Sequence, residues 1–192
     1  MSITMEEDIK QGIMKAMLRL LETRDIKMIS IREIAKEAGV NSAAISYYFG
    51  GKDQLFFKVM DKYWNNVMDM YLEILDQKKI TTEQAETFCM NILNYEMKST
   101  GIVRSEQGMY MDSGIDEATA NRIKIQFKAL KHFIVTYSPN TESEMVLPKV
   151  LMLSSSLTCP AFWSELTEIM IEQPIEEFKK AYVKQLVKSI RN

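Results

Sequence analysis

Cysteine and histidine are nearly missing from this sequence: Cys89, Cys159 and His132 are the only ones in 192 residues. No C-x-x-C or Cys/His cluster surrounds the two cysteines, so neither a disulfide framework nor a metal site is expected, and no cofactor is assigned. The same shortage, with no G-x-S-x-G and no phosphate loop, argues against an enzyme. Nowhere do about 18 apolar residues run unbroken, so no membrane-spanning helix is expected. The opening MSITMEEDIKQ is acidic early and lacks an apolar core, which does not read as a secretory signal. A cytoplasmic, reducing compartment fits these absences. Charge of one sign is lacking too: the formal net charge is -2, and residues 1–52 carry eight Lys and Arg against seven Asp and Glu. Any positive surface must be local, built from Arg32, Lys36, Lys52 and Lys27.

What is present reads as helix from end to end, with no strand-like alternation and no internal repeat. Ile9, Ile13, Met17, Leu20 and Leu21 share a stripe that predicts an amphipathic helix within residues 5–23, followed by a short connection at 23–28. Ser30 and Glu33 form an S-x-x-E capping box opening a helix, IREIAKEA. Gly39 ends it, Val40 anchors the corner, and Asn41 caps a second helix, SAAISYYF, with Ile45 and Phe49 on its inner face. Helix, tight turn, helix is the helix-turn-helix pattern. Small side chains at Ser42, Ala43 and Ala44 suit a helix whose N-terminal end approaches base edges.

Beyond Lys52 the apolar positions predict one long helix from about residue 51 to 77, a rigid link into the rest of the chain. Thr81 and Gln84 open another, which Gly101 is expected to stop. A short helix with a weak point at Gly108 and a regular seam from Asp116 to Tyr137 follow. Pro148 sits either inside a helix opened at Thr141, kinking it, or in the first turn of one starting near Leu147, and position preference favours the second. The terminal stretch 174–190 has a broad apolar surface, wider than a single core-facing stripe needs. The expected fold is all-α: a three-helix helix-turn-helix domain at 1–51, joined by the long helix to a helical domain at 52–192.

The run AGVNSAAISYYFGGKDQLF resembles the DNA-reading signature of TetR-type bacterial transcriptional regulators. In that signature an A-G-V turn leads into a short recognition helix ending in an aromatic pair, a Phe and a Gly/Asn-x-Lys step; the match covers roughly residues 28–60. The resemblance implies base contacts by Arg32, Ser42, Ala43 and Ser46, and backbone contacts by Ala44, Tyr47, Tyr48 and Lys52. Asn41 either caps its helix or meets a phosphate, and capping is the favoured role. Ser46 stands where many members carry tyrosine, so contacts made by that ring do not carry over.

The resemblance also implies a homodimer on a palindromic operator in double-stranded DNA, joined through the C-terminal helices at about 147–158 and 174–190. Repression is implied, released by a small, largely apolar effector. Its expected contacts are Met60, Tyr63, Trp64, Met68, Phe88, Ile92, Tyr95, Met109, Tyr110 and Phe127, thioethers and rings that suit an adaptable pocket. The alternatives are control by a protein partner without a small molecule, and a helical protein that only makes interactions.

Overall fold

The computed structural model of the chain describes residues Ile3–Arg191. Among these residues are ten α-helices and no strand. They are α1 (Ile3–Leu20), α2 (Ile31–Ala38), α3 (Ser42–Phe49), α4 (Lys52–Leu75), α5 (Thr82–Lys98), α6 (Thr100–Ser113), α7 (Glu117–Tyr137), α8 (Ser143–Phe162), α9 (Ser164–Met170) and α10 (Ile175–Arg191). A 3-10 turn at Ile26–Met28 lies in the connection between α1 and α2. The chain forms two compact units, one running to Asn65 and including Ser99–Asp112, the other made of Asn66–Lys98 and the residues from Ser113 on. Helix α4 thus contributes to both, and α6 belongs to the first unit.

In the first unit α2 packs on α1 and α3, and the buried core is made of Ile13, Met17 and Leu21 of the α1 stripe, Ile34 and Ala35 of α2, Ile45 of α3, and Leu55, Val59 and Tyr63 of α4. Helix α6 is seated on the connection after α1. Thr100 Oγ1 donates to the Glu22 carbonyl at 3.0 Å, Ser105 Oγ accepts from the Ile26 N–H at 2.9 Å, and Lys27 pairs with Asp112 at 2.8 Å. Gly101 makes this seat possible. A Cβ there would lie 2.2 Å from the Arg24 carbonyl oxygen and 2.5 Å from that of Leu21. Gly101 therefore does not stop the preceding helix, which ends at Lys98; it sits in the first turn of α6 because two backbones touch there.

The second unit is a bundle in which α5 packs on α8 and α10, and α7 packs on α8. The Thr81–Gln84 capping box forms as expected, with reciprocal bonds of 2.9 and 3.2 Å. Aromatic rings run through its core, Tyr71 to Phe88 at 5.7 Å, Phe88 to Phe133 at 5.3 Å and Phe133 to Tyr137 at 5.7 Å. Cys89 is buried beside them, and that burial pushes its thiol pKa up to about 12.

Helix α8 opens at Ser143, not near Leu147, and runs through both Pro148 and Pro160. Pro148 sits on the solvent face between exposed Leu147 and half-buried Lys149, so the Glu144 carbonyl that loses its helical donor can bond water. On the opposite face Val146, Val150, Leu153 and Leu157 are buried, which offsets the lost hydrogen bond. By length and composition α8 is also long and apolar enough to cross a membrane, with a mean hydropathy of 1.4. Glu144, Pro148 and Lys149 break its apolar run, which is why the unbroken-run criterion passed over it. Here its inner face is bundle core.

Val183, Leu186, Val187 and Ile190 of α10 are buried against α5 and α8, so its apolar side closes the second unit's own core. Its first half keeps an open apolar side, with Ile175 and Ala181 exposed and Phe178 and Tyr182 half-buried, whereas the remaining surface from Lys184 to Arg191 is polar.

Candidate nucleic-acid interface

The reading head is built by local hydrogen bonding that its sequence dictates. Ser30 Oγ accepts from the Glu33 N–H at 3.3 Å, and Glu33 Oε2 accepts from the Ser30 N–H at 2.8 Å. Arg24 Nη1 lies 2.9 Å from the other Glu33 oxygen. The Ser30 N–H, the Ser30 hydroxyl and Arg24 together hold the Glu33 carboxyl down at a pKa of about 2. At the far end of α2, Gly39 adopts φ 69°, and the Gly39 and Val40 N–H groups bond back to the Lys36 and Ala35 carbonyls at 3.2 and 3.0 Å. Asn41 Oδ1 then accepts from the Ala44 N–H at 2.9 Å, so the side chain serves as the cap of α3.

Helix α3 is pinned inward by Ile45, fully buried, with half-buried Phe49 beside it. Its other side is open: Ala43, Ser46 and Tyr47 are exposed, Tyr47 by 79%, while Ser42, Ala44 and Tyr48 are half-buried. Tyr47 and Tyr48 meet edge to face at 4.9 Å, and the Lys10 ammonium of α1 lies 5.8 Å from the Tyr48 ring centre. Arg32 is exposed on α2. The structure thus gathers Arg32, Asn41, Ser42, Ala43, Ala44, Ser46, Tyr47 and Tyr48 on the helix-turn-helix, with Lys52 at the start of α4.

Lys52 is positioned differently from a free phosphate-seeking cation. Its ammonium donates to the Ile26 and Ile29 carbonyls, both at 3.1 Å, tying the start of α4 to the 3-10 turn. Two of its three N–H bonds are spent there. Sequence reasoning missed this role, and Lys10 beneath the tyrosines, because neither contact has a local spacing that marks it.

The ten side chains expected around an effector divide between the units. Met60, Tyr63, Trp64, Met109 and Tyr110 belong to the first, and Met68, Phe88, Ile92, Tyr95 and Phe127 to the second. Met60, Tyr63, Phe88 and Ile92 are buried, and the others are half-buried. Phe88 lines a cleft of about 280 Å³ between α4 and α5, together with Met70, Ile74, Glu73 and Glu83. Phe127 lines a second cleft of about 750 Å³ between α7 and α8. Among the described residues no group of three or more His, Cys, Asp or Glu is placed to hold a metal ion.

Comparison with known proteins agrees with this geometry. The family described as bacterial regulatory proteins, tetR family, matches residues 13–59, the span from mid-α1 to the first turns of α4. A probable HTH-type transcriptional regulator of Bacillus subtilis (strain 168), YttP, is 26% identical over 98% of this chain and 95% of its own length. A nucleoid occlusion factor, SlmA, of Vibrio atlanticus is 27% identical over 56% of each chain. Among solved structures, a tetR-family transcriptional regulator from Streptomyces coelicolor superposes with a TM-score of 0.70 at 16% identity, covering 99% of this chain and 80% of that one.

Proposed function

We propose that this chain is a regulator of the TetR family, which binds operator DNA sequence-specifically through α3 and represses transcription until an effector releases it. The observation that carries the reading is the outward side of α3, small at Ala43 and Ser46 and aromatic at Tyr47, held in place by a buried Ile45. A helix of this kind inserts its N-terminal end into the major groove, and its flanking hydroxyls and cations meet phosphates.

One reading head makes few contacts, so the binding species is a homodimer reading two half-sites about 34–36 Å apart. The C-terminal helices supply the dimer contact. A gel shift or anisotropy titration on genomic fragments at stated salt tests DNA binding directly. Arg32→Ala should relax base preference, whereas Tyr47→Phe should weaken all sequences alike and leave preference unchanged. Equal behaviour of the two variants would overturn these roles.

The effector reading rests on the cleft that Phe88 lines together with Met70 and Ile74. A largely apolar molecule seated there releases DNA only by favouring a conformation whose two heads mismatch the operator. A coupling of about 1–3 kcal/mol changes operator affinity roughly five- to 150-fold. A thermal-shift screen of apolar small molecules tests it, because a ligand bound to the native state raises the melting temperature. A screen in which none raises it and none releases DNA would favour control by a protein partner.

A further inference from the structure

Helix α7 carries three lysines on one stripe together with apolar side chains. Lys124, Lys128 and Lys131 follow one another at four and three residues, so they share a face, and Phe127 and Val135 fall on the same side. All three lysines are exposed, and among the described residues none of them makes an ion pair. Like charges at these spacings repel one another, so the row favours an anion beside it. A merely solvated lysine face needs nothing apolar next to it. Here Val135 is 42% exposed and Leu147 60%, and half-buried Phe127 opens onto the same cleft.

That cleft, of about 750 Å³ between α7 and α8, falls within the roughly 300–1,000 Å³ of small-molecule sites. The short connection after Tyr137 makes the two packed helices antiparallel, and Val146, Leu147 and Val150 of α8 supply an apolar wall. Along α7 the lining runs from Lys124 to Val135, roughly 16 Å of helix. Ammonium groups thus occupy one end, the hydroxyls of Thr141 and Ser143 the other, and no Asp or Glu lines it. None of these residues lines the cleft beside Phe88.

We propose that the α7/α8 cleft binds a free amphipathic anion, a carboxylate on an unbranched alkyl chain, its head among Lys124, Lys128 and Lys131 and its chain along Phe127, Leu147 and Val150. Charge-assisted hydrogen bonds from the ammonium groups hold the carboxylate. The lysine stems lie along the chain while their charged ends stay in water. A compact anion such as phosphate would leave the apolar wall wet, and an uncharged hydrocarbon would leave the lysines unanswered. The length of the cleft along α7 selects a linear body over a globular one. This site is separate from the effector reading, which rests on other residues, and either can fail without the other.

The test is calorimetric titration of the full chain, without DNA, with dodecanoate below its micelle concentration. One molecule should bind per chain, and affinity should fall roughly fourfold for each methylene removed in decanoate and octanoate. Dodecanol, with the same chain and no charge, should bind on the order of 10-fold more weakly. Lys124→Glu/Lys128→Glu/Lys131→Glu should lose dodecanoate on the order of 100-fold and take up dodecyltrimethylammonium instead, with unchanged circular dichroism. Should that variant fail to fold, Leu147→Trp decides, because its exposed side chain fills the cleft and should abolish binding. Thr87→Trp, which fills the cleft beside Phe88, should leave dodecanoate binding unchanged. No binding by the wild type, equal binding of dodecanol, or binding lost in Thr87→Trp and kept in Leu147→Trp would overturn the assignment. Retention of the chain on phosphatidylglycerol vesicles in place of dodecanoate binding would overturn it in favour of a lipid surface.

Discussion

Glu33 shows how much one surface carboxylate can be asked to do: it closes the capping box of α2 and pairs with Arg24. Its pKa falls from an ordinary 4.5 to about 2 in the folded chain. A depressed folded pKa means that its contribution to stability is complete above about 4.5 and is lost as pH falls from there toward 2. Side-chain NMR of Glu33 should therefore report a midpoint near the lower value, and Arg24→Ala should move it upward; an unshifted midpoint in the wild type would contradict the box. Lys52 makes a second prediction at this scale. Lys52→Ala removes two charge-assisted bonds to the 3-10 turn, so chemical denaturation should show a loss of roughly 1–3 kcal/mol even without DNA. A purely phosphate-binding lysine would leave stability unchanged and flatten only the salt dependence of DNA affinity.

At the scale of the element, α6 is where two glycines in one helix have opposite roles. Gly101 has two carbonyl oxygens within 2.5 Å of where a Cβ would stand, whereas Gly108 has nothing within 4 Å. Gly101→Ala should cost about 1–3 kcal/mol or unseat α6 from the connection after α1. Gly108→Ala should stabilise by about 0.5–1 kcal/mol through helix propensity alone. Urea unfolding of the pair decides it, and equal effects would refute the close approach. Because Ser105, Arg104 and Thr100 of the same helix bond to residues 22–26, an unseated α6 should also loosen the support of the reading head. Amide exchange at Ile26 would read this out, since its N–H is held by Ser105.

Across the whole molecule the same amphipathic logic yields two outcomes. Residues of α10 that look surplus for a monomer are consumed by its own core, at Val183, Leu186, Val187 and Ile190. Residues 163–170, where no helix was expected, carry the apolar surface that is left open. Cys89, buried in the second unit with its thiol pushed up to about 12, should resist thiol reagents at neutral pH until the chain unfolds. Fast labelling of Cys89 in the native protein would show that the core opens far more easily than its packing implies.

The amino-acid order alone determined whatever is local. The capping boxes at Ser30 and Thr81, the Gly39 corner, the Asn41 cap and the inward Ile45 all follow from spacing within a few residues, because a helix terminus is satisfied by its own neighbours. Tertiary structure alone decided what depends on distant backbone and on which faces meet. It turned Gly101 from a stop signal into a close approach, gave Lys52 to two carbonyls, returned α6 to the first unit, and carried α8 through Pro148. It also exposed the apolar row of α9, because burial is a property of neighbours brought together by the fold, and spacing along the chain records only which residues could be buried.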